Sequence, residues 1–149
     1  MIKIIGCGNI LKGDDGVGVY VLRELKKLNL PDEVELIDVG TQSLNILSYV
    51  GDAEEVIIID AVMSGNKPGT IYCNTAEELT LSNTDFISSH ELKWYHILAV
   101  GSKIMENLKS KVTVFGIEVG NVKTEIGLSP ELKATIPKVV NLIHKQLQF

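Results

Sequence analysis

Short apolar runs and longer stretches with apolar residues at helical spacing take turns along the chain. That alternation predicts an α/β domain with a largely parallel sheet. Met1 to Ile5 reads as the first strand. Val17, Val21, Leu25 and Leu28 then recur at helical spacing, and Asn29-Leu30-Pro31 ends that helix. Glu33 to Asp38 reads as a second strand, after which Thr41 is placed to cap a short helix carrying Leu44, Leu47 and Val50. The run Val56-Ile57-Ile58-Ile59-Asp60 is apolar at every position until its last, which predicts a central strand covered on both faces and ending in a carboxylate.

Gly69 to Cys73 reads as a further strand, and the polar stretch from Asn74 to Ser89 reads mainly as a loop. Ser88-Ser89-His90-Glu91 matches a capping box, so a helix is expected from there to about Leu108 with His90 in its first turn. Val112 to Val119 is the last strand. Ser129-Pro130 opens a final helix with Leu132, Ile136, Val139, Val140, Ile143 and Leu147 on one face, and Pro137 is expected to kink it. The expected architecture is α/β, a three-layer αβα sandwich around a mostly parallel twisted sheet of about five strands, forming a single domain over residues 1–149.

Composition narrows the function. A formal net charge of −5 with no lysine or arginine run excludes a basic nucleic-acid surface. No apolar run approaches the ~20 residues that span a bilayer, so no membrane insertion is expected. Cys7 and Cys73 form no CxxC pair, and free thiols together with an opening MIKIIGCGN that lacks a leader pattern predict a cytoplasmic location.

The loop Gly6-Cys7-Gly8-Asn9-Ile10-Leu11-Lys12-Gly13-Asp14-Asp15-Gly16 sits between the first strand and helix, where phosphate loops sit. It is not one of them. The third glycine of a dinucleotide fingerprint is replaced by Leu11, and Gly13 is followed by two aspartates instead of the lysine and hydroxyl of a P-loop. A turn that presents carboxylates at the carboxyl edge of a sheet suits a cation. One aspartate has a structural use as an N-cap of the following helix; two exceed what a cap requires. Asp60 ends a central strand at the same edge, and His90 at a helix N-terminus is kept neutral, as metal binding requires. Two carboxylates and an imidazole are a reasonable ligand set for a first-row divalent ion, though each residue also has an ordinary role as a turn or first-turn residue.

In order along the chain, GCGNILKGDDGVG, IDVGT at 37–41, IIIDAV at 57–62, SSHEL at 88–92 and IGLSP at 126–130 resemble the motifs of the hydrogenase maturation proteases. The resemblance implies an endopeptidase of aspartyl-type family likeness. Its implied substrate is the large-subunit precursor of a nickel–iron hydrogenase, from which it removes a C-terminal extension after nickel insertion. It also implies that Asp15, Asp60 and His90 are the metal-binding and catalytic residues, that the divalent metal is nickel carried by the substrate, and that no organic cofactor is needed. Asp15 departs in length from the glutamate that the family can carry there, reaching one methylene less far.

Two rival readings use the same neighbourhood. One is a non-catalytic nickel or divalent-metal carrier with the same three ligands. The other makes Cys7 a nucleophile with His90 as base and Asp60 as orienter. No HExxH helix points to an ordinary zinc protease, and no spaced DxD to a magnesium phosphatase. His96 lies off the helical face of His90, Trp94, Tyr95 and Ile97 are expected to pack or line a groove, and His144 is expected to be solvated. Asn9 and Thr41 are expected to shape the loops at the same edge.

Overall fold

The computed structural model describes residues 1–42, 45–81, 111–120 and 122–147. Its sheet holds β1 (Ile2–Cys7), β2 (Val34–Gly40), β3 (Glu55–Val62), β4 (Ile71–Thr75) and β5 (Val112–Glu118) in the spatial order β2-β1-β3-β5-β4. The pairs β1–β2, β1–β3 and β3–β5 are parallel, and β4 runs antiparallel to β5 at one margin. The carboxyl ends of the four parallel strands therefore lie along one edge, and that edge gathers the chemistry.

Strand alternation in β3 builds both cores. Ile57, Ile59 and Ala61 join Ile4, Phe115 and Ile117 on one face, covered by α1 (Val17–Leu25) and the long helix at Pro130–Leu147 through Val21, Leu25, Ile136, Val139 and Ile143. Val56 and Ile58 join Ile5, Val112 and Val114 on the other face, under Ile46 and Val50 of α2 (Ile46–Val50) and Ala76 of α3 (Ala76–Leu81). Two covered faces make the expected three layers. Each fully buried isoleucine contributes about 1.5–3 kcal/mol, so the VIII run at 56–59 is a large part of what holds the layers together. The final helix, α4, continues through Pro137.

Three local expectations shift. Thr41 is exposed, and α2 begins later, with Asn45 at its N-cap position. The stretch after β4 is not all loop: the Glu78 N–H donates to Thr75 Oγ1 at 3.1 Å, so Thr75 caps α3 and the Thr75-x-x-Glu78 spacing is itself a start signal. β4 begins at Ile71 because Gly69 turns first, at φ +90°, with its N–H on the Glu118 carbonyl at 2.9 Å. The expected helix from Ser88 to Leu108, with its capping box, His90, Trp94, Tyr95, His96 and Ile97, lies outside the described residues.

Candidate active site

The loop after β1 is drawn down onto the strand ends by two glycines. Gly8 has φ +138°, and a Cβ there would stand 2.2 Å from the Asp15 carbonyl oxygen. Gly18, in the first turn of α1, has the Cys7 and Ile59 carbonyl oxygens each 2.4 Å from where a Cβ would be. Only glycine permits both approaches. The chain between them forms a 3-10 turn, Gly13–Gly16, that carries both aspartates, and both are buried.

The neighbouring aspartates have different employment. Asp14 is not a cap of α1, whose N-cap position is Gly16 with no side-chain cap bond. Instead its Oδ1 accepts the Ser129 N–H at 2.7 Å and its Oδ2 accepts the Ser129 hydroxyl at 2.8 Å. The intervening 3-10 turn swings Asp14 away from α1 and onto the start of α4, whose dipole also favours a negative charge. Asp15 turns toward the strand ends: its Oδ2 accepts the Asn9 N–H at 2.9 Å, and only 3% of the residue is exposed. Asn9 does shape this loop, since its own Oδ1 accepts the Leu11 N–H at 3.0 Å.

Asp60 falls where the β3 alternation puts its side chain on the α2 face, fully buried, with its Oδ1 accepting the Ala61 N–H at 2.8 Å. Its relation to Asp15 is reported by the thiol of Cys7, which ends β1 beside them. Burial pushes that thiol's pKa well above its ordinary value, and the charges of Asp60, Asp38 and Asp15 push it the same way. Three carboxylates thus lie within electrostatic reach of one buried sulfur. This counts against the nucleophile reading of Cys7, because a thiolate there is opposed by desolvation and by each of those three charges. Asp38, at the end of β2, belongs to the IDVGT motif, and its Oδ1 accepts the Gly40 N–H at 2.8 Å. Gly40 in turn accepts the Gly8 N–H at 2.8 Å, which ties the acidic loop to β2.

Among the described residues, no three His, Cys, Asp or Glu side chains form a ready-made metal cage. The structure brings Asp15 and Asp60 to one edge; His90 lies outside the described residues. Sequence reasoning also missed Glu118, a buried carboxylate at the carboxyl end of β5. The argument that picked out Asp60, an acid ending an apolar strand, applies equally to VTVFGIE. A cavity of about 680 Å³ between α1 and α4, lined by Tyr20, Leu28, Ile136, Val140 and others, contains none of these acids. His144 lines that cavity and is half-buried, not fully solvated, because it follows Ile136 and Val140 along the same stripe of α4.

A doubly covered, mostly parallel sheet with an acidic carboxyl edge is the fold of a known class of processing enzymes. The sequence model of the hydrogenase maturation protease family, HycI, matches residues 19–146, a segment that starts beyond Asp15 and includes Asp60 and His90. The chain belongs to that family and is a hydrogenase maturation endopeptidase. It is 33% identical over 137 residues to the hydrogenase 2 maturation protease of Escherichia coli, covering 91% of this chain and 83% of that protein. The solved structure of the E. coli hydrogenase maturating endopeptidase HybD superposes with a TM-score of 0.85 at 31% identity, covering 99% of this chain and 91% of that one. That of the [NiFe] hydrogenase maturation protease HybD from Thermococcus kodakarensis does so with a TM-score of 0.80 at 27% identity, covering 97% of each.

Proposed function

We propose that this endopeptidase removes a C-terminal extension from the large-subunit precursor of a nickel–iron hydrogenase, and that it reads the nickel carried by that precursor through Asp15, Asp60 and His90. The observation that supports this most is the placing of Asp15 and Asp60 at one edge, each buried and each with an oxygen fixed by a backbone N–H. Carboxylate oxygens with an imidazole suit a first-row divalent ion, and a set of three leaves coordination positions for the ligands that the precursor supplies. The shorter reach of aspartate at position 15 is matched by the close approach that Gly8 permits, which lowers the whole turn toward the strand ends.

Hydrolysis adds water across one peptide bond, hydroxyl to the carbonyl carbon and proton to the leaving amine. Fixing the precursor through its metal sets which bond lies over the edge, and such positioning is itself a large part of a catalytic effect. Cys7 and Cys73 are both free thiols, in keeping with a cytoplasmic setting. No helix among the described residues is long and apolar enough to cross a membrane. Membership of a protease family does not favour the non-catalytic carrier.

The deciding experiment incubates the chain with nickel-loaded and nickel-free precursor and weighs the products. Cleavage of the loaded form alone is expected. Equal cutting of both would overturn recognition through the metal, and tight metal binding by the isolated chain with no cutting of either would restore the carrier.

A further inference from the structure

Past Asp60, β3 continues through the buried Ala61 and Val62, and the next side chain, Met63, is 44% exposed. Lone exposed apolar residues are ordinary on protein surfaces. What distinguishes Met63 is how its loop is held. Glu118 is only 1% exposed; its Oε2 accepts the Ser64 N–H at 2.9 Å, and its Oε1 accepts the Ser64 hydroxyl and the Tyr72 phenol, the latter at 2.9 Å. The backbone of the same residue closes the loop's other end. The Glu118 N–H donates to the Thr70 carbonyl at 2.8 Å, and the Glu118 carbonyl accepts the Gly69 N–H at 2.9 Å. Asn66 Nδ2 donates to the Tyr72 oxygen at 2.8 Å, so the loop is braced in its middle as well.

Glu118 therefore clamps residues 63–70 at both ends, fixing the backbone beside Met63 while Met63 and Ser64 both stay exposed. Register ties this clamp to Asp60: Asp60 pairs with Gly116 and Val62 pairs with Glu118, so Asp60 and Glu118 occupy the same face on adjacent strands. Met63 follows Asp60 by three residues, about 10 Å of extended chain. A buried carboxylate is costly unless its hydrogen bonds are made, and here those bonds are spent on fixing one loop beside the acidic edge. A loop whose backbone is fixed before binding loses little freedom on binding, and a thioether adapts to apolar partners of varied shape.

We propose that Met63 is a specificity-determining residue that contacts an apolar side chain of the precursor beside the cleaved bond, and that Glu118 is the positioning residue that holds it there. This rests on the proposed precursor substrate. The test is steady-state cleavage of nickel-loaded precursor. Met63→Ser should raise KM about tenfold with little change in kcat, the size of one lost apolar contact, and Met63→Leu should recover most of the loss. Glu118→Ala should raise KM similarly, and Glu118→Gln should rescue it, since an amide oxygen still accepts and its NH2 can donate to a hydroxyl that turns. Where Glu118→Ala does not fold, Ser64→Ala with an unchanged thermal midpoint carries the same expectation. Wild-type cleavage with an unchanged KM in Met63→Ser overturns the inference alone; a wild type that cuts no precursor overturns the proposed function, and the inference falls with it.

Discussion

The two ends of the sheet treat charge in opposite ways. At the amino end Lys3 reaches Asp52 at 2.7 Å and lies 5.9 Å from the Tyr49 ring centre, Lys111 donates to the Ala53 carbonyl at 2.8 Å, and the Met1 ammonium sits 3.7 Å from Glu54. At the carboxyl end Asp14, Asp15, Asp38, Asp60 and Glu118 are oriented by neutral N–H and O–H groups from Ser129, Asn9, Gly40, Ala61, Ser64 and Tyr72. An ammonium cancels the charge of the carboxylate it meets. An amide N–H fixes a carboxylate oxygen and leaves the negative charge in being. At the amino end ammonium groups thus meet the acids, while at the carboxyl end the bonds named above fix carboxylate oxygens in a defined arrangement, as a site requires.

The contrast breaks hardest at Asp15. Asp15→Asn should reduce cleavage of nickel-loaded precursor more than about 100-fold, since even residues that only support a metal ligand are worth 10–100-fold. Its thermal midpoint should hardly move, because the amide oxygen still accepts from Asn9. If Asp15→Asn cleaved normally while Asp14→Asn did not, the site would be assigned one residue out.

Gly18→Ala attacks the same edge through shape. The new methyl would meet two backbone carbonyls at 2.4 Å. Overpacking of that kind costs about 1–3 kcal/mol, which lowers the thermal midpoint of a chain this size by roughly 2–12 °C. Cleavage should fall with it as the Asp15 turn is displaced, and an unchanged midpoint would show that the approach can relax. Asp14→Ala removes both Ser129 bonds and should cost about 1–3 kcal/mol in urea unfolding. Asp14→Asn should cost less, keeping an acceptor for the Ser129 N–H while the hydroxyl turns to receive its NH2. Cleavage by Asp14→Asn should stay near wild type, in contrast to Asp15→Asn, whereas Asp14→Ala, which unties the turn that carries Asp15, should cleave less.

At the amino end effects should be small and visible mainly against pH. The Asp52 carboxyl is held below its ordinary value of 3.8 by the hydrogen bond from Lys3, and then by the charge of Lys3. A lowered folded pKa means that the pair's contribution is present above the unfolded value and is lost as pH falls through the folded one. The midpoint difference between wild type and Lys3→Met should therefore be slight at pH 7 and close as the pH drops below 3.8. Cleavage should not change. The smallest expected effect is none: iodoacetamide at neutral pH should leave Cys7 of the folded chain unmodified by mass, and modification with loss of cleavage would revive the thiol reading.

Much of this edge is legible in sequence for a physical reason. VIIID announces its own role, because four consecutive apolar residues need two covered faces and the aspartate that follows must then emerge at a strand end. The doubled aspartate is legible as an excess over capping, but which of the two is spent structurally is not. That is decided by Ser129, 115 positions away in sequence, and no local period reports such a contact. α3 and Glu118 differ from this case. The first is signalled by Thr75 and Glu78 and the second by its place at the end of an apolar strand, both short signals beside longer patterns. His90 remains an expectation drawn from its capping box and from the family motif.

The Asp14–Ser129 tie also sets a schedule. A ribosome adds about 5–20 residues per second, so the 115 residues between the two partners take roughly 6 to 23 seconds to make. Until α4 has been made and docks, the Gly13–Gly16 turn lacks its Ser129 bonds, and Gly13 lacks the Glu125 carbonyl that its N–H meets at 2.7 Å. A loop made early is completed by a segment made 115 residues later. Amide exchange should show the same dependence in the mature protein, with Ser129→Ala hastening exchange in residues 12–16 and leaving β1 slow. The turn that carries Asp15 thereby gains its Ser129 bonds only after residue 129 has been made.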